Sequence, residues 1–399
     1  MVLATLVLLG LCGGAAAAGG IEAGPAEPPG TRSERVYDAY GVVHSQGRGP
    51  LLIAVAGLSH GHVEGLLWRA KEEAAKGEGA LLKIVGVAEA DRALFDRMAA
   101  KYGLDASLWS AGVEEMLGRC KPEAVSVMGP IAAHRSVAEG CGPRGVHMLF
   151  EKPLAFSGED ARAIAEVARR NKVLALTNFE TSWYASVREI GRVAGGVGGV
   201  GGVGGVGAVR KLVFRHGHKG PKEIGCGPEF VKWLTDPEQN GGGAIADFGC
   251  YGAILSTWLM DGQRPLAVRA SAATLKPKLY SGVDDDATVV LTYAGVTATI
   301  QASWAWTHDN KDMDVYLEGR SLHAGKWDTL EVREENGAAR VVAVGSKPEH
   351  LKDEWVYLRS VVRGGCSVDG LSSLELNVIA SEILDEARRQ VAEAQGRGW

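Results

Sequence analysis

Cysteine is sparse and scattered. Its six residues stand at 12, 120, 141, 226, 250 and 366, with no C-x-x-C pair and no Cys/His spacing of the zinc type. The spacing therefore offers neither a disulfide framework nor a structural zinc. Basic charge is not in excess: 43 Lys and Arg face 48 Asp and Glu, a net charge of −5. No electrostatic footprint for nucleic acid follows from that balance. Long apolar runs are missing too. The longest, from Val2 to Leu11, is too short to span a membrane comfortably. What remains is ordinary for a folded chain, 46% hydrophobic and 23% charged over 399 residues. That excludes disorder throughout and a polytopic membrane protein, and the length suits two or three domains. Glycine is the outlier, 55 residues, twice the usual share of about 7%.

Residues 1–20, MVLATLVLLGLCGGAAAAGG, carry no charged side chain. An apolar run followed by small residues predicts a secretory leader with an A-x-A-like cleavage region, hence an exported chain. The missing Lys or Arg at its start departs from that pattern, and an uncleaved chain would be cytoplasmic. Removal of the leader takes Cys12 with it and leaves five thiols, an odd number that suits buried thiols better than bridges. Residues 21–49 read as a linker.

From Leu51 the pattern changes. LLIAVAG is a short apolar run ending in Gly57, followed by a helical stretch from 62 to 77. KIVGVAEAD, EAVSVMG, VHMLFEKP and VLALTNF repeat the strand signal, with helical stretches at 92–102, 134–140 and 158–171 between them. Alternation at this spacing predicts a doubly wound parallel sheet over 50–178. Ligands of such sheets bind at the carboxyl ends of the strands. The first turn, G57-L-S-H-G-H62, keeps Gly57 but has Ser59 and His62 at the second and third glycine positions of G-x-G-x-x-G. The helix N-terminus behind it still favours a pyrophosphate. Glu89 ends the second strand, where an acid can bond a ribose 2′-hydroxyl and would favour NAD over NADP. A solvated loop acid is an equally good reading of Glu89 on pattern alone.

Two segments carry a resemblance. FEKPLAFSGEDARAIAEVARRN (150–171) has a strand ending in Glu-Lys-Pro before a helix, and NGGGAIADFGCYGAILSTWLM (240–260) has a triple glycine before an Asp-bearing helix. Both resemble the Gfo/Idh/MocA family of oxidoreductases. AVAGLSHGHVEG, VGVAEADRA, VSVMGPIAAHRSVAEG and LSSLELNVIASEILDEARR extend the resemblance over about 51–390. It implies an α/β Rossmann domain followed by an α+β domain, over 179–399, whose open, mostly antiparallel sheet faces the nicotinamide. After residue 208 the sequence agrees: VRKLVFRHG, PLAVRASAAT, ATVVLTY, VTATIQASWAW, MDVYLEG, TLEVREE and ARVVAVG are strand-like. A helix over 244–260 interrupts them and another over about 371–394 closes the chain.

The resemblance implies an NAD(P)-dependent oxidoreductase acting on a sugar, polyol or related hydroxyl compound. Lys152 is its expected acid/base, with a pKa lowered by burial and by the nicotinamide cation. Pro153 is expected to follow a cis bond. Asp247 and Tyr251, four apart on one helix face, are expected to position the substrate. The family usually has His where Tyr251 stands, and a free tyrosine titrates near 10 rather than near neutrality. Gly241 to Gly243 would let a ligand approach the backbone. Gly57, Ser59, His60, Gly61, His62, Glu89, Pro130, His134, Glu151 and Lys152 are the expected cofactor residues. Trp233, His218 and Trp306 are expected near the substrate, with Trp304 and Trp306 alternating on one strand. His60-x-His62 and His216-x-His218 lack a third ligand at a telling spacing, so no metal is expected. The same resemblance leaves open NAD-dependent glycoside hydrolysis, and the broken glycine fingerprint leaves open a non-catalytic sugar- or nucleotide-binding protein. It also implies a homo-oligomer. The tract GGVGGVGGVGGVG (195–207) reads as an expanded surface loop.

Overall fold

A computed structural model describes residues 40–194 and 209–395. The leader, most of the linker and the glycine tract lie outside the described residues.

The first half alternates strand and helix: β1 (Leu51–Ala56), α1 (Val63–Ala74), β2 (Leu82–Ala88), α2 (Arg92–Tyr102), β3 (Trp109–Ser110), α3 (Val113–Arg119), β4 (Ala124–Val127), α4 (His134–Cys141), β5 (His147–Glu151), α5 (Gly158–Asn171) and β6 (Ala175–Asn178). All six strands pair in parallel, in the order β3-β2-β1-β4-β5-β6. The order reverses between β1 and β4, which opens a crevice at their carboxyl ends. Local chemistry sets the helix ends. Asp91 caps α2 by accepting from the Ala93 and Leu94 N–H groups, and Gly103 stops it at φ +75°. Ser157 caps α5, whose Ala161, Ile164, Ala165 and Ala168 form one buried stripe.

The second half begins with α6 (Ala185–Val193) and β7 (Val209–Gly217), then α7 (Pro228–Leu234), α8 (Pro237–Asn240), α9 (Ala244–Asp247) and α10 (Gly249–Leu259). Seven more strands follow: β8 (Ala267–Ala273), β9 (Asp286–Tyr293), β10 (Val296–Ser303), β11 (Asn310–Leu317), β12 (Arg320–Lys326), β13 (Thr329–Glu334) and β14 (Arg340–Ala343). Helices α11 (Glu354–Val362) and α12 (Leu374–Ala394) end the chain. The eight-stranded sheet runs β14-β13-β12-β11-β7-β10-β9-β8, antiparallel except where β7 meets β10. Alternate residues of β10 are buried, so one face of the sheet carries the core. Every residue of α10 is buried, as befits a helix apolar all round.

Four features depart from the sequence reading. The helix expected over 244–260 breaks at Phe248, so Asp247 and Tyr251 belong to different helices. Strand β10 ends at Ser303, which leaves Trp304 and Trp306 beyond it. Strand β12 has only Leu322 and Ala324 as inward apolar residues; pairing with β11 and β13 holds it. Helix α11 returns to the first domain, where Trp355, Tyr357, Leu358 and Val361 share a core with Val55 and Leu176. Among the described residues the five cysteines are free thiols, and no helix is long and apolar enough to cross a membrane.

Gly57 is the position where backbone freedom is indispensable. Its φ is +86°, and a Cβ there would lie 2.8 Å from the Gly129 Cα on the neighbouring strand. Gly57→Ala is expected to cost about 2–4 kcal/mol in thermal or denaturant unfolding, from the left-handed backbone and the clash together. Gly118→Ala, in helix α3 with open space around it, is expected instead to gain roughly 0.5–1 kcal/mol.

Candidate active site

The turn after β1 is tied to its neighbours by backbone groups. The Gly57 N–H donates to Ala88 O at 2.8 Å and the His60 N–H to Met128 O at 3.0 Å. Glu89 joins this lacing: its carboxylate accepts from the Leu58 N–H at 2.8 Å and from the Asp91 N–H at 2.9 Å. Helix α1 begins without a side-chain cap, and a Cβ on Gly61 would meet nothing within 4 Å. An uncapped helix start with open space over a glycine suits a pyrophosphate, and Glu89 stands at the adjoining strand end. The open helix start at Gly61 is thus compatible with a bound dinucleotide, with Gly57 shaping the turn and Glu89 lacing it. The side chains of His60 and His62 have another engagement.

Glu151 ends β5 and Lys152 follows it, and their side chains reach different partners. The Lys152–Pro153 bond is cis. Lys152 is 7% exposed, and its ammonium donates to Asp247 Oδ1 at 2.5 Å and to the Asp247 carbonyl at 3.0 Å. The second Asp247 oxygen accepts from Trp304 Nε1 at 2.9 Å. Burial alone would lower the Lys152 pKa, but the Asp247 carboxylate outweighs it and the net shift is upward. That corrects the lowered value expected from sequence. Burial likewise works to raise the Asp247 pKa, and Lys152 and its other partners bring it below its usual 3.8. The pair is ionic at neutral pH.

The triple glycine serves this pair through the chain. A Cβ on Gly243 would meet the Asp284 carbonyl at 1.8 Å, and one on Gly241 would run into the Phe156 ring at 2.4 Å. The Asp284 carboxylate accepts from the Gly243 N–H at 2.8 Å and the Ile245 N–H at 2.7 Å, which caps α9 and aims Asp247. Burial pushes the Asp284 pKa up to about 6, with those two bonds opposing.

Glu151 is 1% exposed. One oxygen accepts from Asn178 Nδ2 at 3.0 Å, and Asn178 Oδ1 accepts in turn from Trp183 Nε1 at 2.9 Å. The other oxygen lies 3.1 Å from His62 Nδ1 and 3.9 Å from His60 Nε2. Burial would raise the Glu151 pKa, yet the two imidazoles and Asn178 hold it far below the usual carboxylate range. The third ligand missing from the His60-x-His62 pair is thus present in space: the three side chains offer ligand atoms within 4.8 Å of one another. Glu151 and the Nδ1 atoms of both imidazoles are already engaged in hydrogen bonds, which leaves His62 Nε2 open. His60 Nδ1 accepts the His62 N–H at 3.1 Å, so the proton of that neutral ring sits on Nε2, toward Glu151.

A cavity of about 260 Å³ joins these groups. Among its lining are His60, His62, Lys152, His218, Asp247 and Tyr251. Burial drives the Tyr251 phenol well above its usual pKa, and Lys152 and Lys311 lie over its ring at 5.3 and 5.8 Å. His218 Nδ1 accepts the Gly220 N–H at 2.9 Å, which leaves an Nε2–H donor; burial lowers its pKa. Sequence reasoning did not single out Glu180, Asp309 or Lys311, which also line the cavity, with Lys311 paired to Glu180. Polar residues on loops and sheet ends carry no motif. Asn178 and Asp284 were equally silent.

Several expected residues stand elsewhere. His134 is fully buried beside Phe150 and bonds the Leu154 carbonyl at 3.0 Å, so it braces the turn after Lys152 and does not line the cavity. Pro130 precedes the short helical turn 131–133 that leads to it, outside the cavity lining. Trp233 is buried against His60 and Phe230, and Trp306 Nε1 bonds the His216 carbonyl at 3.3 Å; neither lines the cavity.

Two family models match the chain. One, described as an oxidoreductase family with an NAD-binding Rossmann fold, covers residues 51–179, and the other, the GFO/IDH/MocA C-terminal domain, covers 203–323. A scyllo-inositol 2-dehydrogenase (NADP(+)) of Bacillus subtilis is 23% identical over 313 residues, 75% of this chain and 88% of that protein. A D-glucoside 3-dehydrogenase of Escherichia coli is 30% identical over 172 residues, 43% of this chain and 44% of that one. Among solved structures, an inositol dehydrogenase homolog from Azotobacter vinelandii complexed with NAD+ superposes with a TM-score of 0.68 at 17% identity, over 89% of this chain and 98% of that one, which shows a shared fold. With both domains matched in order, the chain belongs to the Gfo/Idh/MocA family of oxidoreductases.

Proposed function

We propose that this oxidoreductase removes hydride from a secondary hydroxyl carbon of a neutral sugar or polyol, with a nicotinamide dinucleotide as acceptor. The observation that carries the reading is the buried Lys152–Asp247 pair at the wall of the cavity. A bound nicotinamide supplies the two-electron acceptor. The protein supplies position and charge. The Lys152 ammonium is a fixed donor for the substrate oxygen and favours the negative charge that grows on it as the C–H bond breaks. Trp304 and Lys152 together hold the Asp247 carboxylate, which keeps that ammonium in place. The His218 Nε2–H gives a second donor for a neighbouring hydroxyl.

Charge favours a neutral substrate. Both lysines of the cavity already face a carboxylate, Lys152 with Asp247 and Lys311 with Glu180. Asp309 adds a further acid, and among the described residues no arginine lines the space. A substrate carboxylate would enter without a free cation to receive it. Inositols, pyranosides and other neutral polyols match; the curated relatives named above act on compounds of that kind by their names.

The panel experiment is direct. Purified enzyme with NAD+ or NADP+ is expected to produce reduced nicotinamide with neutral sugars or polyols and to leave uronic and aldonic acids of the same skeleton at least tenfold slower in kcat/KM. Release of an aglycone from a glycoside with no net reduced nicotinamide would select redox-neutral glycoside cleavage instead.

Stability and turnover are separable at Lys152. Lys152→Met strands a buried carboxylate, so unfolding is expected to lose about 3–5 kcal/mol, and kcat to fall about 10²–10⁴-fold. The double variant Lys152→Met/Asp247→Asn leaves neither charge alone. Calorimetry is expected to show recovered stability while the absorbance assay shows no recovered turnover.

A further inference from the structure

We propose that His62 accepts the substrate's hydroxyl proton at Nε2 and that Glu151 is the positioning residue that makes it able to do so. The proposal rests on the hydride-transfer reading above and names the one group that reading still lacks.

Oxidation of an alcohol breaks two bonds. The C–H bond leaves with its electron pair to the oxidised nicotinamide, and the O–H bond leaves its pair on oxygen to form the C=O. A base must take the remaining proton. Apart from Asp309, a carboxylate exposed to solvent, and Cys226, whose thiol burial keeps protonated, the cavity's other candidates are committed. Lys152 is already an ammonium with two acceptors, and Asp247 has both oxygens engaged by Lys152 and Trp304. Tyr251 is a phenol whose ionisation burial opposes. Glu180 is bound by Lys311 and Tyr184. His218 and His60 each spend Nδ1 on a backbone N–H, so their neutral rings present an N–H and no lone pair.

His62 is arranged the other way round. Its Nδ1 lies 3.1 Å from a carboxylate that is ionised, so Nδ1 carries the proton and donates it. The lone pair is then on Nε2. Glu151 cannot swing away, because Asn178 grips its other oxygen and Trp183 grips Asn178. A base oriented by a buried, hydrogen-bonded acid is the logic of the catalytic triad. The imidazole ring is 47% exposed and lines the same cavity as Lys152 and Asp247. The proton taken there can pass to solvent from the exposed edge.

The groups facing His62 set its titration. Glu151 and Glu180 raise its pKa, Lys152 lowers it, and burial lowers it; the ring of His60 packs against it at 4.6 Å and Glu354 stands nearby. The net shift is upward from 6.5. Oxidation needs the unprotonated ring, so its rate must rise with pH through an ionisation above 6.5. Reduction of the ketone needs the imidazolium and must fall through the same ionisation.

The test is the pH dependence of kcat/KM for oxidation of a neutral polyol that the unaltered enzyme turns over, with nucleotide affinity measured separately. In His62→Gln the acid limb is expected to vanish and kcat to fall about 10²–10⁴-fold, with NAD(P)+ affinity within a few-fold. Added imidazole is expected to restore part of the rate in His62→Gly. Glu151→Gln, which removes the charge that raises the ionisation, is expected to move the limb to lower pH. An unchanged limb in His62→Gln overturns the proposal while leaving the dehydrogenase reading intact. Absence of polyol oxidation by the unaltered enzyme overturns that reading instead. One firmly held divalent metal per chain, lost in His62→Gln, also overturns the proposal, since it would claim the same three side chains as ligands.

Discussion

Two charges 95 residues apart meet in the interior, and the site is organised by that meeting. Lys152 comes from the end of the last but one strand of the parallel sheet, Asp247 from a short helix against the second sheet. Neither is tolerable alone below a tenth of its exposed area, because an unpaired buried ion costs several kcal/mol. Together they are also not a large source of stability, since desolvation consumes much of the attraction. What the pair does is tie the end of β5 to α9 across the two domains. Trp304 from beyond β10 and the Asp247 carbonyl complete the bonding, so the ammonium has little freedom to turn.

The neighbouring residue extends the same economy of position. The side chains of Glu151 and Lys152 reach different partners, so a single dipeptide serves two networks. Lys152 reaches across to the second domain, while Glu151 reaches back to the turn after β1 and to β6 through Asn178. The fold-level consequence is that the loop, three strand ends and the α9 helix are tied through two adjacent residues. Any shift of β5 along its neighbours would disturb both networks at once, and His134 braces that strand end from behind through the Leu154 carbonyl.

The architecture was largely legible because its signals are periodic. Apolar runs ending in Gly57 or Glu89 and the striped helix α5 announce a parallel sheet, and alternation in β9 and β10 announces a half-covered one. The parts that escaped are those where tertiary pairing overrides weak local pattern. Strand β12, with glycine and histidine in it, is a strand because its neighbours are. The break at Phe248 falls between Asp247 and Gly249, residues that the expected helix took in as part of its motif. The site was half legible: the resemblance located Lys152 and Asp247, but the partners that decide their protonation were not. Trp304 read as a strand partner of Trp306 and is a buried donor beyond the strand end. The glycines of 241–243 read as room for a ligand, and Phe156 and Asp284 pack against them. Glu151 had no assigned partner, because the histidine it holds stands 89 positions away.

The tyrosine at 251 then becomes intelligible from its surroundings. Its ring has the Lys152 ammonium on one side and that of Lys311 on another, at 5.3 and 5.8 Å. A histidine in that place would face two cations and a desolvated environment, both of which oppose taking up a proton. An aromatic face, by contrast, attracts cations through its quadrupole and has no proton to gain. The phenol ring therefore attracts the ammonium groups without competing for charge. Proton uptake is better placed at His62, where Glu151 supplies negative charge and the imidazole reaches solvent. Division of the cationic and basic functions between Lys152 and His62 lets each group keep the charge state its task requires at one pH.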